Sequence, residues 1–447
     1  MEQELFARAP IPRAYFKMAL PVVLSMLVSL VYNMVDTWFI AQTQNTALVA
    51  GVSLCAPMFT LMVAMGDIFG LGGSSLISRL LGQGEENRVR HVSAFCSYGA
   101  IVWGVLVGAL MLIFRQPILR LLGASSDTME SAMDYYSYLA LGAPAIIFTL
   151  VPSNILRTEG MAVASMVGSI IGAVVNIILD PIFIFTFRLG AAGAAIATIL
   201  GYLFTNCYCL VIVLKKSKVL SVRPKEWKAP RKETAQVFTI GIAAALSNIM
   251  SSFSTVLTNQ CLLPYGSDKI AAMGIVQKVS MVVMLVITGF SFGGAPLVGF
   301  YYGRKDWRMF KKLLRFAAAF LAGLAVLLSA IVALAAPLAV RAFLQGELAD
   351  TAAVMLRLQV AGMVFMAAVL LCQILFQSTG KSAQALILAL SRQGVVFAAV
   401  ILIGKSLFGY SGIIAAQPAA DFLSAIAAVI LAAACLRKEL HMVPDND

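Results

Sequence analysis

Residues 215–233 read KKSKVLSVRPKEWKAPRKE, a polar, proline-bearing run with eight Lys or Arg, and they stand almost at the midpoint of a 447-residue chain. A break at that place asks whether the sequence on either side repeats. It does. Gly70-Leu-Gly-Gly-Ser-Ser-Leu76 lies over Ser291-Phe-Gly-Gly-Ala-Pro-Leu297, and each run leads to a glycine, Gly82 or Gly303, followed by charges. Phe16 lies over Phe238, and Arg157-Thr-Glu-Gly160 over Gln377-Ser-Thr-Gly380. Gly193-Ala-Ala-Ile-Ala-Thr198 lies over Gly412-Ile-Ile-Ala-Ala-Gln417, and the offset stays between 219 and 222 throughout. Small residues recur in any membrane helix, so one match means little; an ordered set at one offset is the signal.

What repeats is apolar. The chain is 60% hydrophobic and 12% charged, against about 45–50% and about 25% in soluble domains. Its mean hydropathy is +0.90. That composition excludes a soluble enzyme, a disordered chain and a nucleic-acid-binding module, despite a net charge of +12. A membrane span needs about 20 predominantly apolar residues. Apolar runs predict twelve helices, near 15–41, 47–80, 93–115, 134–157, 163–187, 190–214, 237–263, 269–300, 314–337, 352–377, 383–404 and 411–435. The expected fold class is an all-α polytopic membrane protein, with twelve transmembrane helices in two pseudo-symmetric six-helix lobes. Residues 1–214 form the first lobe, 215–233 the basic linker and 234–447 the second lobe. Each half has an even helix count, so the halves share one orientation about an axis along the membrane normal, an arrangement that argues for a transporter. The run from Met18 to Ala41 is too long for the apolar part of a cleaved leader and is read as a retained span. Seven cysteines show no C-x-x-C pair, and the two histidines are His91 and His441. No metal centre, disulfide or cofactor is expected from them.

The basic residues set the orientation. With both termini on one side, that side collects 24 of the 33 Lys and Arg, from Arg8 to Lys438, and the other side seven, while Lys278 and Arg392 fall inside helices. A 24-to-7 bias places both termini in the cytoplasm. The same basic loops are suited to anionic lipid headgroups.

Four carboxylates fall inside spans: Asp36, Asp67, Asp180 and Asp421. Each costs roughly 2.5–3.5 kcal/mol on insertion scales and needs a partner, water or a function. Asp36 shares a helical face with Tyr32 and Asn33; Asp180 shares one with Asn176, one turn earlier. Pro181 donates nothing to the helix ladder and releases carbonyls near residue 177. Thr198 and Tyr202 lie one turn apart in the next helix. Two acids with Asn and Thr oxygens serve either to hold protons or to coordinate Na⁺ as a hard cation. Hydrogen-bonded glue between helices is the competing reading, and glue rarely needs full carboxylates. Asp67 divides evenly between a function and a place at a watery mouth. Asp421, with Gln417 at i−4, is expected to pair with Arg392 as a structural ion pair, with cavity lining second. Lys278 either snorkels or lines a cavity. The stripe Ser247, Ser251, Ser254 and Thr258 divides evenly between packing glue and cavity lining.

At these residues the chain resembles the MATE (multidrug and toxic compound extrusion) family of efflux transporters, in its MepA-like bacterial branch. The resemblance rests on Asn33-Met-Val-Asp-Thr-Trp-Phe-Ile40, Ser78-Arg-Leu-Leu-Gly82 and Asn176-Ile-Ile-Leu-Asp-Pro-Ile-Phe-Ile184. It continues with Gly190-Ala-Ala-Gly-Ala-Ala-Ile-Ala-Thr198 and Gly293-Gly-Ala-Pro-Leu-Val-Gly299. It implies two lobes around a V-shaped cleft and antiport of Na⁺ or H⁺ against organic cations. By resemblance Asp36, Asn176, Asp180 and Thr198 match the cation-coupling cluster, and they are the metal ligands if the ion is Na⁺. The family's Gln-Pro and Asn-Tyr-Gly appear here as Ala295-Pro296 and Tyr301-Tyr302-Gly303, a departure that leaves the carry-over to the second half, substrate contacts included, open. The expected partners are a small organic cation or amphiphilic drug and membrane lipid, with no nucleic acid, for a monomer in the plasma membrane. Two alternatives stand beside it. A lipid-linked oligosaccharide flippase would carry more cavity Arg and Lys than Lys278 and Arg392. A membrane-embedded enzyme would show a nucleophile or metal motif.

Overall fold

The structure is a computed structural model that describes residues 9–441; Arg8, counted above on the cytoplasmic side, lies outside them. Among the described residues twelve helices are long and apolar enough to cross a membrane. They are α1 (Ile11–Gln42), α2 (Thr46–Gln83), α3 (Glu86–Ile113), α4 (Ser126–Thr158), α5 (Ala162–Thr186) and α6 (Gly190–Lys216). The second six are α7 (Arg231–Leu262), α8 (Ser267–Arg304), α9 (Trp307–Arg341), α10 (Gly346–Thr379), α11 (Ser382–Phe408) and α12 (Ala416–His441). Several start well before their apolar runs. α4 begins at Ser126 where the apolar reading begins at 134, because Ser125 and Thr128 form a capping box ahead of the apolar slab. Asp306 caps α9 with its side chain, Oδ1 accepting from the Met309 N–H at 3.1 Å.

The chain packs as two units, and the division does not fall at the linker. Among the described residues one unit is Leu24–Ala245, and the other is Ala9–Val23 together with Leu246 onward. The cut therefore passes through α1 and α7: the first turns of α1 belong with the second half of the sequence, and those of α7 with the first. Apolar periodicity does not say which neighbour a helix will meet.

The repeat explains how the exchange is held. In the first unit Phe238, near the start of α7, meets Phe69 and Phe95 with ring centroids 5.5 and 6.3 Å apart. In the second unit Phe16, near the start of α1, meets Phe290 and Phe316, both at 6.1 Å. Phe290 and Phe316 are Phe69 and Phe95 moved on by one repeat. The paired glycines do the same work. A Cβ at Gly72 would stand 2.2 Å from the Val237 carbonyl oxygen, and one at Gly293 would stand 2.2 Å from Ala19 Cα. Only glycine lets these backbones approach so closely.

In each unit one helix is the buried axis, α4 in the first and α10 in the second. The linker is strapped to the first unit. Glu159 accepts from Ser217 Oγ and from the Lys218 N–H at 2.8 Å, and Tyr98 donates to the Val222 carbonyl at 2.8 Å. Glu233, at the end of the linker, pairs with Arg88 on α3.

Candidate functional site

In the first unit four helices bring polar side chains to one place. Asp36 comes from α1, Tyr135 from α4, Asn176 and Asp180 from α5, and Thr198 from α6. The local chain of α5 favours an opening here. Pro181 follows Asp180 directly, and the helix widens into a π turn over Ile182–Thr186, where the Phe187 N–H donates to the Ile182 carbonyl at 2.9 Å. A proline that cannot donate and crowds the carbonyl four residues back favours such a wider turn.

Asp36 and Asp180 meet carboxyl to carboxyl. Asp180 is fully buried and Asn176 is 2% exposed. The Asn176 amide donates two long hydrogen bonds, to Asp180 Oδ1 at 3.4 Å and to Thr198 Oγ1 at 3.5 Å. Three acceptor oxygens remain buried with no donor: Asp36 Oδ1, Asp180 Oδ2 and Asn176 Oδ1. Acceptors left this way are costly, and a cluster of them asks for a guest. Two touching carboxylates repel unless a proton is shared between them or a cation sits with them. Asp36, Thr198, Tyr32 and Tyr135 also line a cavity of about 330 Å³. Tyr32 and Tyr202 join hydroxyl to hydroxyl at 3.2 Å. Asn33 is in the same cavity wall but donates back to the Ser29 carbonyl at 2.7 Å.

The other acids and bases lie elsewhere. Asp67 is 8% exposed on α2, within electrostatic reach of Arg157. Arg157 in turn donates to Ser165 Oγ at 3.3 Å. Asp421, in the second unit, accepts from Arg392 Nε at 2.8 Å and from Gln417 Nε2 at 3.0 Å. Arg392 sits in a π segment, Ser391–Val395, in which Gly394 departs from helical angles. This is a closed ion pair. Lys278 is exposed on α8. Ser251 is half-buried on α7, and its carbonyl takes the Ser254 and Thr255 hydroxyls at 2.9 and 3.1 Å. Thr258 likewise donates to the Ser254 carbonyl at 2.8 Å, while Ser247 accepts from Gln373 Nε2 of α10 at 2.7 Å, so the polar stripe of α7 bonds partly to its own helix and partly to its neighbour.

Tyr135 is the member that the sequence reading passes over. It stands at the edge of the apolar run that begins at 134, whereas the helix starts eight residues earlier. A tyrosine pair, Tyr135-Tyr136, beside an apolar run was the available signal.

Paired helical units built on one repeat, with uncompensated acids buried inside a span, have the build of a membrane transporter. The MatE family profile matches residues 21–182 and 243–403. Multidrug export protein MepA of Staphylococcus aureus (strain NCTC 8325 / PS 47) is 31% identical over 304 residues, covering 68% of this chain and 67% of its own. Its namesake in Staphylococcus haemolyticus (strain JCSC1435) is also 31% identical over 304 residues, with the same coverage of both chains. The crystal structure of a MATE in the straight conformation superposes with a TM-score of 0.92 at 23% identity, covering 98% of both chains. A MOP superfamily transporter from Pyrococcus furiosus superposes at 0.91 with 23% identity, again over 98% of both chains. These structures share the fold. The chain belongs to the MatE family and is a multi-pass membrane transporter.

Proposed function

We propose that the chain is a secondary active antiporter that exports organic cations or amphiphilic drugs in exchange for H⁺ or Na⁺. Asp36, Asn176, Asp180 and Thr198 hold the entering ion. One observation carries this reading: two carboxyls from different helices touch inside a span, each with a buried oxygen that no protein donor reaches. A proton shared between them satisfies that geometry, and so does Na⁺ among the carboxyl, amide and hydroxyl oxygens. The 31% identity to a multidrug export protein supports the drug half of the exchange. Alternating access needs an ion that binds the two states differently, and a carboxyl pair that opens or closes around its guest supplies that difference. The charge bias supports cytoplasmic termini. On that orientation α1 and α5 run outward, and the cluster lies in the outer half of a plasma-membrane protein acting as a monomer. Of the two bases read as lying inside helices, Arg392 is engaged by Asp421 and Lys278 is exposed, which weighs against the flippase alternative.

The test is ethidium efflux from vesicles carrying the full chain, with a pH gradient and a Na⁺ gradient imposed separately. Stimulation by one gradient alone identifies the ion. No response to either refutes antiport.

A further inference from the structure

Beside the acid pair lies a second, smaller cavity of about 70 Å³, which shares Tyr32, Asn176 and Thr198 with the cluster and adds Ser29, Thr149, Ser169 and Thr205. A water needs roughly 10–15 Å³ of such space, so several fit. Its wall has an unusual polarity. Ser29 donates its hydroxyl proton to the Ser25 carbonyl at 3.0 Å, and Ser169 donates to the Ser165 carbonyl at 3.2 Å. Thr205 donates to the Gly168 or Gly201 carbonyl, each at 3.1 Å, and Thr149 donates to Asn206 Oδ1 at 2.7 Å or to the Ala145 carbonyl. A hydroxyl has one proton and two lone pairs. With the proton given to the protein, each of these four turns only lone pairs to the cavity. Asn176 adds a buried Oδ1 that no donor reaches. No carboxylate stands in this wall.

We propose that this chamber is a second cation station, made of neutral oxygens, to which the coupling ion and its hydration water pass from the acid pair. The inference rests on the antiport reading above and names a further part of that site. Acceptor-rich walls without a fixed charge suit a hydrated monovalent cation, Na⁺ or hydronium, and hold it more weakly than the carboxyls do. Such a station lets the ion leave the acid pair without crossing an apolar barrier. Asn176 and Thr198 face both places and hand the ion across. Tyr32 lines both cavities and Tyr202 the inner one, so their 3.2 Å hydrogen bond is the gate. The chamber exists because α5 and α6 approach on glycine: a Cβ at Gly172 would stand 2.1 Å from Thr205 Oγ1 and fill it.

The test uses the full chain in proteoliposomes, with ethidium as cargo and either NaCl or pH jumps as the drive. Ser169→Ala/Thr205→Val removes two oxygens at nearly constant volume. Its maximal cation-driven rate should fall about tenfold, with the half-saturating cation concentration within about twofold of wild type, because the acid pair is intact. Ser169→Thr and Thr205→Ser keep the oxygens and should retain the wild-type rate. A folded double variant at wild-type rate would overturn the station, and so would a Thr205→Ser protein as slow as the double variant. A wild-type protein driven by neither jump overturns the antiport reading and the station together. A driven wild type beside an equally driven double variant removes the station alone.

Discussion

The two units carry the same repeat and each buries carboxylates inside its spans, Asp36 and Asp180 on α1 and α5 in one and Asp421 on α12 in the other, yet they treat them oppositely. In the second unit Asp421 is 3% exposed and already has its cation, since Arg392 lies 2.8 Å away and Gln417 completes the contact. In the first unit no Lys or Arg reaches Asp36 and Asp180 within salt-bridge distance among the described ion pairs, and acceptor oxygens stay without donors. Both sites are placed beside a π segment, Ile182–Thr186 in one unit and Ser391–Val395 in the other. A second contrast lies in the side chains: the segment of the second unit carries Arg392, and Ile182–Thr186 carries no charged residue. A tethered guanidinium makes one carboxylate a permanent part of the packing. On the antiport proposal, the lack of one leaves the other pair to take its positive charge from outside, and an exchangeable charge is what coupling requires.

The comparison breaks most plainly at Asp36. Asp36→Asn and Asp180→Asn should each lower cation-driven ethidium efflux by about a hundredfold, with expression and thermal unfolding close to wild type. Efflux at wild-type rate in either variant would show that the first cluster is as structural as the second. The reciprocal test is made on the ion pair. Arg392→Met strands a buried carboxylate and should cost about 3–5 kcal/mol, whereas Arg392→Met/Asp421→Leu should recover most of that loss. Thermal unfolding in detergent reads both. The double variant should still export ethidium, and failure to do so in a folded protein would move Asp421 from packing to transport.

A finer cut compares Thr198 with Gln417, which the repeat aligns. Thr198→Ala removes one of the four groups at the acid pair and should raise the half-saturating cation concentration about tenfold, roughly 1.4 kcal/mol. Gln417→Ala removes one hydrogen bond to an ion pair that remains. It should cost about 1 kcal/mol of stability and leave the ion dependence of transport unchanged.

Much of this contrast was readable in the chain. Long apolar runs announce spans because a bilayer admits little else. Asp36, Asp180 and Asp421 stand out because acids in such runs are rare. Their neighbours at i−3 and i−4 follow from helical geometry alone. Arg392 was a plausible partner for Asp421 because it sits on the preceding helix. What escaped reading was set by tertiary contact. Tyr135 belongs to the cluster because α4 packs it into the cavity wall beside Asp36 and Thr198. The chamber depends on which carbonyls Thr149 and Thr205 choose, and sequence does not record that. The exchange of α1 and α7 between units was hidden as well, although its marks were present: Gly72 and Gly293, and Phe238 and Phe16, are the aligned landmarks at the contacts that hold it.

The smallest difference between the halves lies where α2 and α8 end. Gly84 caps α2 in the left-handed region at φ 76°, its N–H directed to the Leu80 and Leu81 carbonyls. One repeat on, Lys305 caps α8 at φ 59°, its N–H directed to Tyr301 and Tyr302. The two caps have the same hydrogen bonds and differ in one Cβ. For an L-residue the left-handed region costs about 1 kcal/mol, because Cβ crowds the following carbonyl. Glycine avoids that strain but enters folding with more backbone entropy to lose, which returns part of the gain. Lys305→Gly should therefore stabilise the protein by only a few tenths of a kcal/mol to about 1, while Gly84→Lys should destabilise it by a similar amount. Thermal unfolding of the two single variants reads the signs. If both shifts are negative, the Lys305 side chain holds α8 by contacts that outweigh its strain, and the halves differ at this cap by more than a Cβ.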